Sequence, residues 1–551
     1  MGEEYGIISK ETVKPSSQTP IQHFKLSFLD QLAPSFHVPI LLFYSASDVR
    51  TFAATDHSAL SQKLKTSLSQ VLTLYYPFCG RLRNSSIIEC NDEGVLFIHS
   101  KLPIELSNIL QNPQLHTLYE LLPCPPYNLE PQQRDTFGIM AVQLSQFKCG
   151  GIALGVCFSH KIADASTAAS FLNAWAATSR GHGNSNLVPP PMEEASLLFP
   201  SRNISVDMTS GMVGQEKTVT KRFIFSGSSI SRLRQTIGCP RFNPSRVEAV
   251  TTLLWKSSLE AAKESLDSGE EKIVASAVSH TVNIRSRMVP SLSKHSVGNI
   301  WQYAVSSLVE VEGEVGLRDL AERKKETIGK VDGDYIKKLQ SDEFVEVVQA
   351  IEEARRLAEE KGVRGYGFTS WVGFEFYEVD FGWGKPSYAS TIPVPIKNLG
   401  TLMSTKDGDG IEAWLTLTTR DMARLEHNAE LLNFASFDST HCHGIIRVCF
   451  MFLVSSIAYW NNGNQHGFFT RMIFIILYGF TSWVGFEFYE VDFGWGKPSY
   501  ASTIPVPIKN LGTLMSTKDG DGIEAWLTLT TRDMARLEHN AELLNFASFD
   551  S

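Results

Sequence analysis

The chain has 551 residues, 43% of them apolar and 20% charged, a composition that excludes a disordered or fibrous protein. Lys and Arg number 50 against 59 Asp and Glu, a formal charge of −9 without a long basic block, so there is no electrostatic case for nucleic acid. Eight irregularly spaced cysteines without a CxxC pair, and an opening MGEEYGIISKETVK with no apolar stretch, lead us to expect reduced thiols in a cytoplasmic protein.

Taken in chain order, Leu60, Leu64, Leu68, Val71 and Leu72 mark one face of a helix that runs into Tyr75-Tyr76-Pro77. Ile87–Cys90 and Val95–Ile98 flank Asn91-Asp92-Glu93-Gly94, which predicts a hairpin. Gly150–Phe158 reads as a buried strand, and a helix from about Ala165 follows it. Asn184–Met208, with three prolines in a row, reads as a connection between two halves. Beyond it, S-x-x-E at Ser245–Glu248 is a capping box ahead of an apolar-periodic helix through Leu259. Ala275–Asn283 is strand-like, Leu317 to Lys361 helical and charged, and Tyr366–Tyr377 and Ile411–Leu417 strand-like again. The pattern predicts a mixed α/β protein with an N-terminal domain over 1–183, a crossover linker over 184–222 and a C-terminal domain over 223–439.

Tyr366–Ser439 recurs letter for letter as Tyr478–Ser551. A solenoid has several diverged repeats with atypical caps, so two perfect copies point to a recent duplication or a gene-model error. Between them, residues 440–477 form an anomalous insert with no clear amphipathic period. Its longest uncharged apolar stretch, about Val448 to Tyr459, is too short to span a bilayer. His441, Cys442 and His443 lack further ligands at zinc spacing, and no metal site is expected.

Two constellations carry chemistry. In Ser159-His160-Lys161-Ile162-Ala163-Asp164, a buried strand delivers His160 to a loop, where a neutral imidazole can take a proton from a hydroxyl. Asp164 can either orient that imidazole or cap the next helix and pair with a distant arginine. In Asp380-Phe381-Gly382-Trp383-Gly384, two glycines around a tryptophan indicate a tight turn. Kinase, P-loop and G-x-S-x-G contexts are all missing.

Together, in this order and about two hundred residues apart, H-x-x-x-D and D-F-G-W-G resemble the signatures of the plant BAHD acyltransferases. LYYPFCGRL at 74–82, VNIRSR at 282–287 and Thr369-Ser370-Trp371 fit as well. FKLSFLD at 24–30 and HSVGNI at 295–300 resemble the branch of vinorine synthase-like alcohol acetyltransferases.

The resemblance implies two chloramphenicol-acetyltransferase-like domains with a channel along their interface. It implies transfer of an acyl group, acetyl by branch likeness, from acyl-CoA to a hydroxyl or amine of a plant-type secondary metabolite. His160 would be the general base, and Asp380 a second catalytic candidate by association with its motif, although its Gly-rich turn favours a structural role. Asp164 would pair with Arg285, or failing that Arg287. Gly382, Trp383 and Gly384 would support the site, Thr369, Ser370 or Trp371 would contact the oxyanion or acyl group, and Ser27, Phe28 and Asp30 would approach the acceptor. A monomer with acyl-CoA as co-substrate, no permanently bound cofactor and no membrane partner is implied. A non-catalytic or pseudogene-derived relative damaged by the tail duplication, and a His-dependent esterase, are the alternative readings.

Overall fold

HVPILLFY and IALGVCFS are apolar on both faces, so neither side can be turned to water. In the computed structural model they pair as β3 (His37–Tyr44) and β8 (Ile152–Ser159), the buried middle of a six-stranded sheet. Its order is β1 (Gly6–Val13), β6 (Val95–Leu102), β7 (Met140–Phe147), β8, β3 and β14 (Tyr388–Ser390). The structure describes residues 6–437 apart from 53–56, 112, 128–136, 182–188, 204–216, 265–272, 312–314 and 359–361, together with five strands beyond.

A second sheet runs β11 (Trp301–Val305), β10 (Ala275–Asn283), β13 (Val363–Ser370), β15 (Leu399–Ser404), β16 (Ile411–Thr418), β9 (Thr218–Phe225) and β17 (Ser436–Phe437). The short β12 (Val309–Glu310) also pairs with β10. Phe223, Phe225, Leu253, Trp255 and Leu415 lie fully buried in its core. A small third sheet orders β2 (His23–Lys25), β5 (Ile87–Glu89) and β4 (Arg81–Asn84). The mixed α/β architecture expected from the sequence is the one observed, and residues 1–437 make one compact unit.

Two local expectations are corrected and one is refined. Ile87–Glu89 and Val95–Leu102 are not a hairpin, because β5 pairs with β2 and β4 while β6 pairs with β1 and β7. The turn's Asp92 is spent on the N-terminal segment, accepting hydrogen bonds from Thr19 N (2.9 Å) and Oγ1 (2.6 Å). The charged stretch after Leu317 is helical as read, divided into three helices, Leu317–Gly329, Gly333–Gln340 and Phe344–Ala358, the second capped by Asp332. The strand beginning near Tyr366 stops at Ser370 and not at Tyr377. From there the chain leaves the second sheet for the first, where Tyr44 Oη donates to Val379 O (2.9 Å) and Ser387 N to Phe43 O (2.7 Å). The Ser245 capping box forms as read, with Glu248 N donating to Ser245 Oγ (3.1 Å) and Ser245 N to Glu248 Oε2 (2.6 Å).

Residues 438–551 form a second unit. Its sheet runs β19 (Gly479–Trp483), β20 (Leu511–Ser516), β21 (Gly522–Thr530), β18 (His441–Cys449) and β22 (Ala547–Asp550). The start of the insert, which has no clear period in sequence, is thus a nine-residue strand. The second D-F-G-W-G, Asp492–Gly496, lies outside the described residues. Among the described residues no helix is long and apolar enough to cross a membrane.

Candidate functional site

β8 ends at Ser159, whose backbone is held between Ile139 O (2.7 Å) and its register partner His37. His160 is the next residue, its N–H donating to Phe36 O (2.8 Å). The ring stands edge-on to Phe36 (centroids 5.5 Å apart) and tilted against Trp301 (6.1 Å). Nδ1 is enclosed without a hydrogen-bond partner, while the residue as a whole stays partly exposed. Burial lowers the imidazole pKa below its ordinary 6.5, and the Asp164 carboxylate partly offsets that. A neutral, basic ring at neutral pH follows.

Asp164 does not touch that ring through a hydrogen bond. It caps the helix Ala165–Ser179 by accepting from Thr167 N (2.8 Å), and it accepts a two-pronged pair from Arg285, Nη1 to Oδ2 at 2.7 Å and Nη2 to Oδ1 at 3.1 Å. Ile300 N adds a fourth donor at 3.2 Å. Arg285 also donates to Ser296 O and Gly298 O, so a buried cation and a buried anion are each fully occupied. Arg287 instead reaches Ile328 O and Val331 O, both at 2.7 Å.

Ser27 and Asp30 form a capping box at the short helix Phe28–Leu32. The other oxygen of Asp30 accepts from Asn299 N (2.7 Å) and Nδ2 (2.9 Å), and Asn299 Nδ2 also donates to His160 O (2.6 Å). Burial pushes the Asp30 carboxyl up from its usual value, against these four hydrogen bonds. Phe28 is buried edge-on to Phe344 (5.0 Å). Asn299, Phe36 and Trp301 are the neighbours of His160 that sequence reasoning missed. Asn299 lies inside the HSVGNI segment, yet only its approach to Asp30 and His160 shows what it holds.

Thr369 and Ser370 close β13, and Trp371 follows it. Thr369 Oγ1 accepts from Thr281 Oγ1 (3.0 Å), Ser370 Oγ accepts from Val372 N (3.3 Å), and the Trp371 ring packs on Phe376 (5.9 Å). Among the hydrogen bonds of the described residues, none joins these three to His160.

Asp380 turns its carboxylate onto its own loop, Oδ1 accepting from Gly382 N (2.7 Å) and Gly384 N (2.9 Å). Both glycines have a positive φ, 109° and 111°, which a side chain would strain. Phe381 and Trp383 stack on each other (5.4 Å), and Trp175 meets Phe381 edge-on (5.0 Å). Ser179 Oγ and Arg180 clamp the loop carbonyls of Phe381 and Asp380 to the helix that Asp164 caps.

A family model described as the Transferase family matches residues 5–432 and 456–544. Vinorine synthase of Rauvolfia serpentina is 36% identical over 438 residues, covering 78% of this chain and 98% of that protein. Its crystal structure superposes with a TM-score of 0.67 over 79% of this chain and 99% of that one. Stemmadenine O-acetyltransferase of Catharanthus roseus is 35% identical (77% and 97% covered), and limonoid 1-O-acetyltransferase of Citrus sinensis is 35% identical (79% and 99%).

Proposed function

The chain belongs to the Transferase family, in its vinorine synthase-like BAHD branch, and as an acyltransferase of that branch we propose that it acetylates a hydroxyl of a plant secondary metabolite with acetyl-CoA. His160 is the base in this reading. What supports it is the contrast at the site: His160 is neutral and partly exposed, while Asp164 is saturated by Arg285, Thr167 and Ile300. Since Nδ1 is enclosed, we assign the reaction to Nε2.

The acceptor O–H gives its proton to Nε2 as the oxygen attacks the thioester carbonyl. The tetrahedral intermediate collapses, the C–S bond breaks, and the CoA thiolate recovers the proton. A thioester is already activated, so one positioned base suffices without an acyl-enzyme. The donor and acceptor reach His160 from opposite ends of a channel between the halves 1–183 and 223–439. Arg285 with Asp164, and Asn299 with Asp30, tie the two halves together beside the base. Thr369, Ser370 or Trp371 supplies the oxyanion or acyl contact, and Ser27, Phe28 and Asp30 shape the acceptor side. Asp380, Gly382, Trp383 and Gly384 serve the architecture, because the Asp380 carboxylate is consumed by its own turn. A cytosolic location is consistent with six described cysteines that are all free thiols, and a monomer is part of the same proposal.

The test follows free thiol release from acetyl-CoA with a panel of alcohols. His160→Ala lowers kcat at least ~10²-fold with an unchanged melting temperature. For the parent enzyme, kcat/KM is flat above neutrality and falls only below pH 6.5, since the lowered pKa keeps the base unprotonated to more acidic pH. Activity of the variant within a few-fold of the parent removes His160 from the mechanism. Acetate released without an acceptor identifies an esterase.

A further inference from the structure

Lys161 is the residue after the base, and its side chain turns inward. It is buried, and a buried ammonium is tolerated only where its N–H groups find acceptors. Nζ donates to Gln31 O (2.9 Å) and Ala33 O (2.5 Å), at the C-terminal end of the helix Phe28–Leu32, where a helix leaves its last carbonyls without intrahelical donors. That helix is anchored on its other sides by Phe28 N, which donates to Phe199 O (2.8 Å), and by the Gln31 side chain, which exchanges hydrogen bonds with the Arg202 backbone (3.0 and 2.8 Å). Three residues after Ala33, Phe36 O accepts from His160 N (2.8 Å). The segment 33–36 is therefore fastened at both ends to the consecutive residues His160 and Lys161. The Phe36 ring, edge-on to the imidazole, belongs to this segment.

We propose that Lys161 is a positioning residue for the acyl transfer: it locks the turn that carries His160 onto the segment 33–36, and it stands a fixed positive charge beside the imidazole. The inference rests on His160 as the base and adds a second residue that acts through it. The lock governs direction, because a shift of the segment 33–36 moves both the backbone of His160 and the Phe36 ring against it. Misplacing a reacting group by about 1 Å costs up to ~10²-fold in rate. The charge governs basicity. Burial is the chief cause of the lowered imidazole pKa; among the charges, Asp164 pulls it up and Lys161 pulls it down. The other charged groups around the ring are held by partners of their own: Asp164 pairs with Arg285, and Asp30, which reaches His160 through Asn299, accepts from Ser27. Lys161 thus offsets the Asp164 carboxylate, and the imidazole stays unprotonated until the acceptor hydroxyl supplies the proton.

Two variants of the full chain separate the lock from the charge. Lys161→Gln keeps an N–H donor toward the two carbonyls and removes the charge, whereas Lys161→Met removes both. In each, the acidic limb of kcat/KM moves to higher pH by about 0.3–1 pH unit, since a cation that opposed protonation is gone. Above that limb, kcat falls about 3–10-fold in Lys161→Met and less in Lys161→Gln. The imidazole is also followed without turnover, by NMR of enzyme labelled at histidine Cε1, with His160→Ala identifying its resonance; that titration moves by the same amount. Gln31→Ala loosens the same helix while leaving the ammonium in place, and it lowers the melting temperature without moving the limb or the resonance. An unmoved titration in both Lys161 variants, an equally large shift in Gln31→Ala, or unfolding of both Lys161 variants makes Lys161 structural only and overturns the proposal. None of these outcomes touches the assignment of the base, which falls instead when His160→Ala keeps its activity.

Discussion

Residues 366–439 and 478–551 are one sequence placed in two settings. In the first setting β13, β15 and β16 continue into β9, which arrives from nearly two hundred residues upstream, and β17 closes the far side of β9. In the second, β19, β20 and β21 continue into β18, which is separated from the copy by the 28 residues 450–477, and β22 closes the far side of β18. The registers correspond residue for residue. Ile411 faces Phe225 and Ser436 faces Ile224; their counterparts Ile523 and Ser548 face Val448 and Arg447. β9 reads TVTKRFIF and β18 begins HCHGIIRV, with no residue shared between aligned positions. Antiparallel pairing is a backbone interaction, so the duplicated strands set the register and accept whichever extended segment is at hand.

The two settings differ on the other side. β13 has β10 as a parallel neighbour, from Ala275 against Val363 to His280 against Phe368. For β19 no such neighbour exists among the described residues. The first copy also sends β14 into the first sheet, beside β3. A strand set can thus be assembled locally, while the core beneath it and the crossover to another sheet belong to the rest of the fold.

The largest expected effect tests that asymmetry directly. Trp383→Ala removes a ring buried against Phe381 and Tyr44 and costs about 3–5 kcal/mol, with loss of activity. The twin substitution Trp495→Ala leaves activity and the main unfolding transition unchanged. Chemical denaturation with an activity readout measures both, and equal losses would erase the distinction between the copies.

A smaller effect sharpens it. Lys324, on the helix Leu317–Gly329, is buried with its amine 5.6 Å over the ring of Phe368, a first-copy residue, and lacks a hydrogen-bond acceptor. Burial pulls its pKa to about 7, against a weak pull upward from Glu248; His280 faces it, also buried. The unfolded chain keeps the proton up to the ordinary 10.5, so stability rises with pH between about 7 and 10.5. Lys324→Met therefore stabilises by about 1–3 kcal/mol near pH 7 and flattens that rise. Melting temperatures across this range check it, and an unchanged slope would mean the amine is satisfied.

The smallest effect concerns the tail as a whole. A chain ending at Ser439 keeps kcat/KM within about twofold of the full chain. Deleting residues 366–477 produces the same polypeptide letter for letter, so the two routes cannot differ. An inactive truncation beside an active full-length chain would show that the second copy serves the site.

Local physics was legible in the sequence. The apolar run of β8, the capping box at Ser245 and the turn around Gly382 and Gly384 each depend on neighbours in the chain. The motif likeness led further, to the family and to Arg285 as the partner of Asp164. What the tertiary structure alone decided is which distant backbone each segment meets. Asn91–Gly94 carries hairpin chemistry, yet Thr19 claims Asp92 and the flanking strands go to different sheets. Asn299 has no special spacing, yet it joins Asp30, Trp301 and the backbone of His160. Short-range spacing encodes dihedral and capping preferences, whereas the long-range contacts among these exist only after loops of about 45 to 270 residues have closed, at an entropy cost nearly independent of local sequence.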